Sequence, residues 1–170
     1  YVNPPSIIDQ TLTPPKNFTI DVVLFNVTDL FGFQYKFFWD VSIINLAGYQ
    51  YHYPAGWAPP KGMLVEDEVG IWDSEAHGGD YPEKDGWGYH SYAYTCMTGT
   101  PFTGNISLCT YKFQVMAIGS STLDIYGSKL MNSKAKAIPH SVEGGYFDNR
   151  PPPLPALIFV DPPRIVDLTL

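Results

Sequence analysis

The sequence contains few charged residues, and the basic ones are the scarcest. Only 16% of the 170 residues are charged, and 10 Lys and Arg against 17 Asp and Glu give a formal net charge of −7. Because binding to nucleic acid needs clustered positive charge, that class of partner is excluded. A run of about 18 apolar residues is also missing, so we predict that this chain does not span a membrane.

Motifs of catalysis are missing as well. The sequence has no Gly-x-Ser-x-Gly turn and no Gly-rich phosphate loop, and its His spacing fits no zinc pattern. Acidic residues cluster near the middle of the chain, and carboxylate oxygens are the ligands that Ca²⁺ prefers. The candidate calcium ligands are Asp73, Glu75, Asp80 and Asp85. No Asp-x-Asp-x-Asp-Gly loop accompanies them, so a solvated acidic loop is the alternative. We expect a non-enzymatic protein that requires no cofactor.

Cysteine is rare, since the chain has only Cys96 and Cys109. The residues between them include Gly99, Pro101 and Gly104, which favour turns, so we predict a hairpin in which the two cysteines face each other. Such a pair can meet disulfide geometry, and a loop of this length would stabilise the fold by about 3 kcal/mol. Two reduced, buried cysteines are the alternative.

Three sequons for N-linked glycosylation begin at Asn17, Asn26 and Asn105. Glycans on these residues would be covalent partners of the chain. Together with a disulfide, the sequons favour an extracellular or cell-surface location.

Strand-forming residues are abundant. Alternating apolar and polar residues recur at spacings near ten with turn residues between them, and no segment has a convincing helical period. The predicted strands are 18–25, 30–39, 41–46, 89–97, 109–116, 121–126, 129–132 and 142–147. We therefore predict an all-β sandwich in residues 1–149, with a long loop or insertion at about 54–88.

The end of the chain repeats its beginning. Residues 1–12 read YVNPPSIIDQTL and residues 159–170 read FVDPPRIVDLTL, so seven of the twelve positions are identical. One first strand is enough for one domain, so the second copy either donates a strand to a neighbouring subunit or begins a next module. The predicted assembly strand, within residues 158–170, presents Ile165, Val166, Leu168 and Leu170. The polyproline segment at 150–157 is a stiff spacer that would hold this strand away from its own domain.

Two blocks of the sequence resemble cohesin modules. The first is FTIDVVLFNVTDLFGFQYKFFWD at 18–40, and the second is CTYKFQVMAIGSSTLDIYGSKLMNSKAKAIPHSVEGGYF at 109–147. The resemblance implies a jelly-roll sandwich of about nine strands, here with a C-terminal extension strand, on an extracellular, multimodular or surface protein. It does not carry over dockerin binding, because residues 47–108 depart from the family's pattern.

Three tryptophans allow three interpretations. On an exposed face, Trp57, Trp72 and Trp87 would stack on sugar rings. At a subunit contact they would bind a neighbour, because aromatic residues are enriched there. Otherwise they fill the core beneath the long loop.

These observations lead to three functional hypotheses. The preferred one is a structural subunit or tandem repeat of an extracellular filament or surface layer, whose C-terminal strand is donated to another copy of the chain. The second is a cohesin-type adhesion module that binds a dockerin-like partner. The third is a carbohydrate-binding module that uses the tryptophans.

Overall fold

The computed structural model describes residues 1–152. Within them, nine strands and one short 3-10 helix form the regular structure. The strands are β1 (Val2–Asn3), β2 (Ser6–Ile8), β3 (Asn17–Trp39), β4 (Ile44–Tyr51), β5 (Gly62–Ile71), β6 (Gly88–Cys96), β7 (Phe102–Val115), β8 (Ser120–Asn132) and β9 (Gly145–Asp148), and the helix is Pro82–Lys84. The prediction of an all-β fold with about nine strands is confirmed. No helix among these residues is long and apolar enough to cross a membrane.

Strand β3 runs through both layers of the sandwich. On one edge it pairs with β7 as far as Leu30 and with β6 from Gly32 onward. On the other edge it pairs with β1 at Asp21 and Val22, and with β8 from Leu30 onward. One layer therefore has the order β1-β3-β7-β4, and the other has the order β2-β9-β8-β3-β6-β5.

The stretch between the predicted strands 18–25 and 30–39 is a bulged part of this strand. Asn26 and Asp29 have φ angles of 53° and 57°, which short polar side chains tolerate better than other residues do. The register against β7 shifts on both sides of Val27. Because bulges bend a strand without ending it, β3 passes from one layer to the other, and the prediction of two strands separated by a turn is wrong.

The core lies between the two layers and is largely aromatic. Alternate residues of β3, from Phe33 through Tyr35 and Phe37 to Trp39, are buried and face inward. From the other layer, the ring of Tyr111 on β7 packs against Phe37 with centroids 4.8 Å apart. This burial follows from the alternation of side chains between the two faces of a strand.

The predicted long loop at 54–88 contains a strand, so that prediction is wrong for residues 62–71. Strand β5 pairs with β6 over its whole length and forms one edge of its layer. Most of its side chains are exposed, acidic and apolar alike. An edge strand with this exposure does not need an apolar face, so its sequence carries no alternating pattern.

A second, smaller cluster lies on the outer face of β3 and β6. Phe38, Trp72 and Tyr89 are buried there, and residues 72–87 cover them. The buried amine of Lys84 holds residues 72–87 against the sheet, since its Nζ lies 2.5 Å from Oδ2 of Asp124 on β8.

Candidate assembly site

Residues 1–12 form a segment that joins both layers. Near its start, the backbone N–H of Tyr1 donates to the carbonyl of Val23, and the N–H of Val23 donates to the carbonyl of Tyr1, each at 2.8 Å. Farther along, β2 lies parallel to β9. The N–H of Asp9 continues this ladder by donating to the carbonyl of Asp148 at 3.0 Å. The segment is therefore held by backbone hydrogen bonds to one strand of each layer.

Four side chains of this segment are at least partly buried. Val2 is fully buried, and Ile7 and Leu12 pack against the core. Asp9 is partly buried, and its Oδ1 accepts a hydrogen bond from the N–H of Thr11 at 2.8 Å. The segment thus contributes buried apolar side chains to the sandwich, and its turn at Asp9 is stabilised by a local hydrogen bond.

The repeat keeps all of these buried or partly buried positions, and it changes only exposed ones. The four residues just named correspond to Val160, Ile165, Asp167 and Leu170, which are identical in type. The five positions that differ are Tyr1, Asn3, Ser6, Ile8 and Gln10, and all five are exposed. The second copy therefore preserves the residues that fit this position in the sandwich. The predicted assembly residues Ile165, Val166, Leu168 and Leu170 themselves lie outside the described residues.

An apolar groove begins where β1 ends. On the edge of β3 that faces β1 and β8, no strand of residues 1–152 pairs with 24–29. The gap opens into a groove of about 630 Å³. Its apolar lining includes Tyr1, Leu24, Phe25, Val27, Leu130 and Ile138. The polar residues that also line it are Asn26, Thr28, His140, Ser141 and Glu143. Phe25 is 67% exposed and meets Tyr1 edge to face. We did not predict this groove, because no local sequence pattern reveals where β1 stops and β8 begins.

A series of hydrogen-bonded polar side chains crosses the core from β5 to β3. Nε2 of the fully buried His90 lies 3.1 Å from Oδ1 of Asp67, and its Nδ1 lies 2.7 Å from the hydroxyl of Tyr111. That hydroxyl in turn lies 3.0 Å from the hydroxyl of Tyr35. Burial lowers the pKa of His90, although Asp67 and Glu66 oppose this effect.

The electrostatics of these side chains favour neutral groups in the interior and a charged Asp67 at its edge. Burial alone would raise the pKa of Asp67, but hydrogen bonds from Tyr51, His90 and Tyr49 outweigh it and lower that pKa. Burial raises the pKa of the nearby Cys109 thiol to about 12. This series of side chains does not place an exposed nucleophile beside a base, so its geometry indicates a structural role.

Comparison with solved structures identifies the architecture. The module CaCohA2 of Clostridium acetobutylicum matches with a TM-score of 0.59 at 13% identity, over 85% of this chain and 85% of that one. A non-cellulosomal cohesin of the archaeon Archaeoglobus fulgidus matches with a TM-score of 0.53 at 10% identity, over 84% and 83%. The fold is cohesin-like.

A third match has a bound partner. A type I cohesin of Clostridium thermocellum, solved in complex with a dockerin, matches with a TM-score of 0.59 at 9% identity, over 84% of this chain and 87% of that one. At such identities the likeness establishes the fold alone. No protein-family model matches the sequence, and neither does any curated protein.

Within this cohesin-like sandwich the two cysteines are not joined, which corrects the predicted disulfide. Both are buried and free. Their strands do not pair with each other, because Cys109 lies opposite Val22 whereas β6 pairs with β3 only from Gly32 onward. The two residues therefore lie at different heights of the sandwich.

Trp57 and Trp72 are core residues, which corrects their prediction as contacts for sugars or partners. Trp57 and Trp72 are 0% and 1% exposed, so neither ring face is free to stack on a sugar. Trp87 is partly buried, and Nζ of Lys84 lies 3.7 Å from its ring centroid. The third interpretation, core filling beneath the long loop, is the correct one for Trp57 and Trp72.

The four acidic residues proposed as calcium ligands are not brought together. Both carboxylate oxygens of Asp85 accept hydrogen bonds from Ser74, and Oδ1 of Asp73 accepts one from the N–H of Glu75. Among residues 1–152, no three His, Cys, Asp or Glu side chains are arranged to hold a metal ion. Calcium binding stays a prediction without a site in this part of the chain.

The sequon asparagines are all exposed at the surface. Two of them are neighbours, since Oδ1 of Asn105 accepts a hydrogen bond from the backbone N–H of Asn26 at 2.6 Å. This bond leaves both side-chain nitrogens, the atoms that carry glycans, available. Glycosylation at Asn17, Asn26 and Asn105 stays a prediction.

Proposed function

We propose that the protein is a non-enzymatic extracellular building unit that assembles with copies of itself. In this assembly, residues 159–170 of one copy take the position of residues 1–12 in another. The observation that carries the proposal is that the repeat keeps all four residues of the first copy that are at least partly buried, and varies only where side chains are exposed. The sequons and the cohesin-like fold support an extracellular location.

The proposed exchange needs little new binding energy. The incoming segment has nearly the same inward residues as the one it displaces, so it restores most of the packing that residues 1–12 provided, as in domain swapping. Backbone hydrogen bonds to β3 and β9 contribute affinity, and the buried positions set the register. Because the donor and acceptor surfaces differ, the contact is heterologous and extends into a filament.

Two matched substitutions test the proposal in the full chain. Ile165→Asp places a carboxylate at an inward position of the donated copy, so we expect it to abolish assembly. Ile7→Asp places the same charge in the resident copy and weakens its hold, so we expect assembly at lower protein concentration. Sedimentation velocity and electron microscopy of the purified chains measure both effects.

The opposite signs of these two effects distinguish exchange from other contacts. If the full chain stays monomeric at every concentration, or if Ile165→Asp assembles as the unsubstituted chain does, the proposal is wrong. Circular dichroism of each variant shows that the sandwich is intact and that the result does not arise from unfolding.

A second candidate is a binding module for a dockerin-like partner. It is favoured by a row of exposed apolar side chains on β5, namely Met63, Leu64, Val65, Val69 and Ile71. Some of the solved structures with this fold were determined with dockerins bound. Calorimetry with the dockerin of one such complex tests this function. Binding that Val65→Asp removes would support it, and the absence of heat would reject it for that partner.

A further inference from the structure

We infer that residues 156–158 of the donated segment fill the groove that lies between β1 and β8. This inference rests on the proposed strand exchange and names a further contact within it. The occupant is the Ala156-Leu157-Ile158 segment of another copy, which immediately precedes the repeated residues.

The register of β1 fixes which residues would meet. Val2 lies opposite Val22 in an antiparallel pair, so Tyr1 lies opposite Val23. A strand continued backwards from Tyr1 would therefore place its next two residues opposite Leu24 and Phe25. When residues 159–170 take the place of 1–12, those two residues are Ile158 and Leu157.

The alternation of side chains matches the groove. Ile158 precedes Val160 by two residues, so in an extended strand both lie on the inward face. On β3, Leu24 follows the buried Val22 by two residues and is itself partly buried. Leu157 would lie on the outer face beside Phe25, whose ring is 67% exposed. Two apolar contacts that residues 1–12 do not make would thus be added.

The backbone of β3 is open to the same strand. Tyr1 and Val23 exchange both of their hydrogen bonds, and such pairs alternate along an antiparallel ladder. The next pair of this kind would join Leu157 to Phe25. Because β8 begins its pairing with β3 only at Leu30, no strand of residues 1–152 competes for that edge.

In a chain that begins at Tyr1, these contacts would favour the donated copy over the resident copy. The two copies share their inward residues, so the exchange by itself is nearly balanced. Burial of Ile158 and Leu157 would shift the balance towards assembly. Residues that precede Tyr1 in a longer chain would compete for the same groove, so the test uses a chain that begins at Tyr1.

An engineered disulfide tests both the register and the partner. Leu24 and Ile158 would form a non-hydrogen-bonded pair with Cα atoms about 4.5 Å apart, which lies within the range for a disulfide. We expect the Leu24→Cys, Ile158→Cys chain to give a ladder of covalent oligomers after mild oxidation. The control chain, Leu24→Cys with Leu157→Cys, moves the second thiol to the opposite face, and we expect few oligomers from it. The native cysteines are buried in both chains.

The possible outcomes are distinct. Equal ladders from the two chains, or a monomer closed by an internal disulfide, would overturn the inference. A third outcome is that both cysteine variants assemble but neither forms covalent oligomers. In that case the groove is not the contact, and the strand exchange still stands if Ile165→Asp abolishes assembly. If the unsubstituted chain does not assemble, both proposals fail.

A single substitution gives a measurement without crosslinking. Ile158→Asp should raise the concentration at half-assembly about 10- to 100-fold, since burying an isoleucine changes affinity on that scale. Ile158→Val keeps the apolar contact and should change it by less than about tenfold. An Ile158→Asp chain that assembles as well as the unsubstituted chain would overturn the inference.

Discussion

Two open edges of the sandwich differ in how they are protected. The edge strand β5 carries Glu66, Asp67 and Glu68 in succession, so a strand that approached it would meet carboxylates. The edge of β3 at 24–29 carries one charged residue, Asp29, near its end. The groove beside it is mainly apolar, although Glu143 is part of its lining. Charged side chains are a common means of preventing unwanted strand addition.

The difference indicates which edge is available for a partner strand. At β5, apolar and acidic side chains are mixed. Such a surface suits a partner protein that contacts it through side chains better than a partner that adds a strand to the edge. At the groove, the open backbone positions lie next to apolar side chains. Four predictions test this contrast, from the largest expected effect to the smallest.

The first prediction compares one exposed apolar residue from each edge. Phe25 and Val65 are 67% and 59% exposed, so neither substitution should harm folding. Phe25→Asp should weaken assembly about tenfold or more because it places an unpaired charge beside the incoming strand. Val65→Asp should leave assembly unchanged. Sedimentation across a concentration series measures both, and the reverse pattern would place the contact between copies on β5.

The second prediction concerns the charges of β5. A chain with Glu66→Thr and Glu68→Thr should aggregate more readily on heating, because the edge then has fewer carboxylates to repel another strand. A chain with Glu75→Thr and Glu83→Thr loses the same charge from the neighbouring loop and serves as the control. Thioflavin fluorescence and turbidity measure aggregation. Equal aggregation of the two chains would mean that net charge, rather than edge protection, is responsible.

The third prediction concerns the link from β5 to the core. Asp67→Asn keeps the shape of the side chain but removes the charge that faces His90 at 3.1 Å. Because Asp67 is exposed, we expect a loss of only about 1 kcal/mol in the free energy of unfolding. Urea denaturation measures it, with Glu83→Gln as a control that should change stability by less than about 0.5 kcal/mol. No difference between the two variants would show that the contact with His90 does not contribute.

The fourth prediction is a pH dependence with a defined sign. Burial lowers the pKa of His90 in the folded state below the value of 6.5 for an unburied histidine. The unfolded chain therefore binds more protons below about pH 6.5, so the folded chain should lose stability as the pH falls through that value. His90→Gln should flatten this slope between about pH 7 and 5. If stability changes with pH equally in the unsubstituted and His90→Gln proteins, a group other than His90 dominates the slope. Asp67 does not interfere in this range, because its lowered pKa places its titration at lower pH.

Features that depend on local alternation could be predicted from the sequence. The aromatic residues of β3 alternate over many positions, and the strand predicted at 30–39 lies within β3. The all-β fold could also be predicted, since turn residues separate most of the strands. The nine-stranded cohesin-like architecture was implied by the resemblance of residues 18–40 and 109–147 to cohesin modules. The repeat was visible without a structure, but which of its positions face inward was not.

Features that depend on the choice of strand partner could not be predicted. The expected hairpin between Cys96 and Cys109 assumed that consecutive strands pair, whereas β6 and β7 each pair with a different half of β3. The sequence of residues 62–71 indicates a loop, because an exposed edge strand has no apolar face. The groove at Phe25 exists only because β1 and β8 share an edge of β3 without meeting.

The parallel pairing of β2 with β9 has a mechanical consequence. In a filament joined by strand exchange, tension would enter at the first residue of the seated segment and leave through Arg150, just beyond β9. Since the two strands run in the same direction, this tension pulls them past each other lengthwise. The hydrogen bonds between the two strands would then carry the load together and would not break one after another. The residue pairs concerned are Ser6 with Tyr146, Ile7 with Phe147, and Ile8 with Asp148.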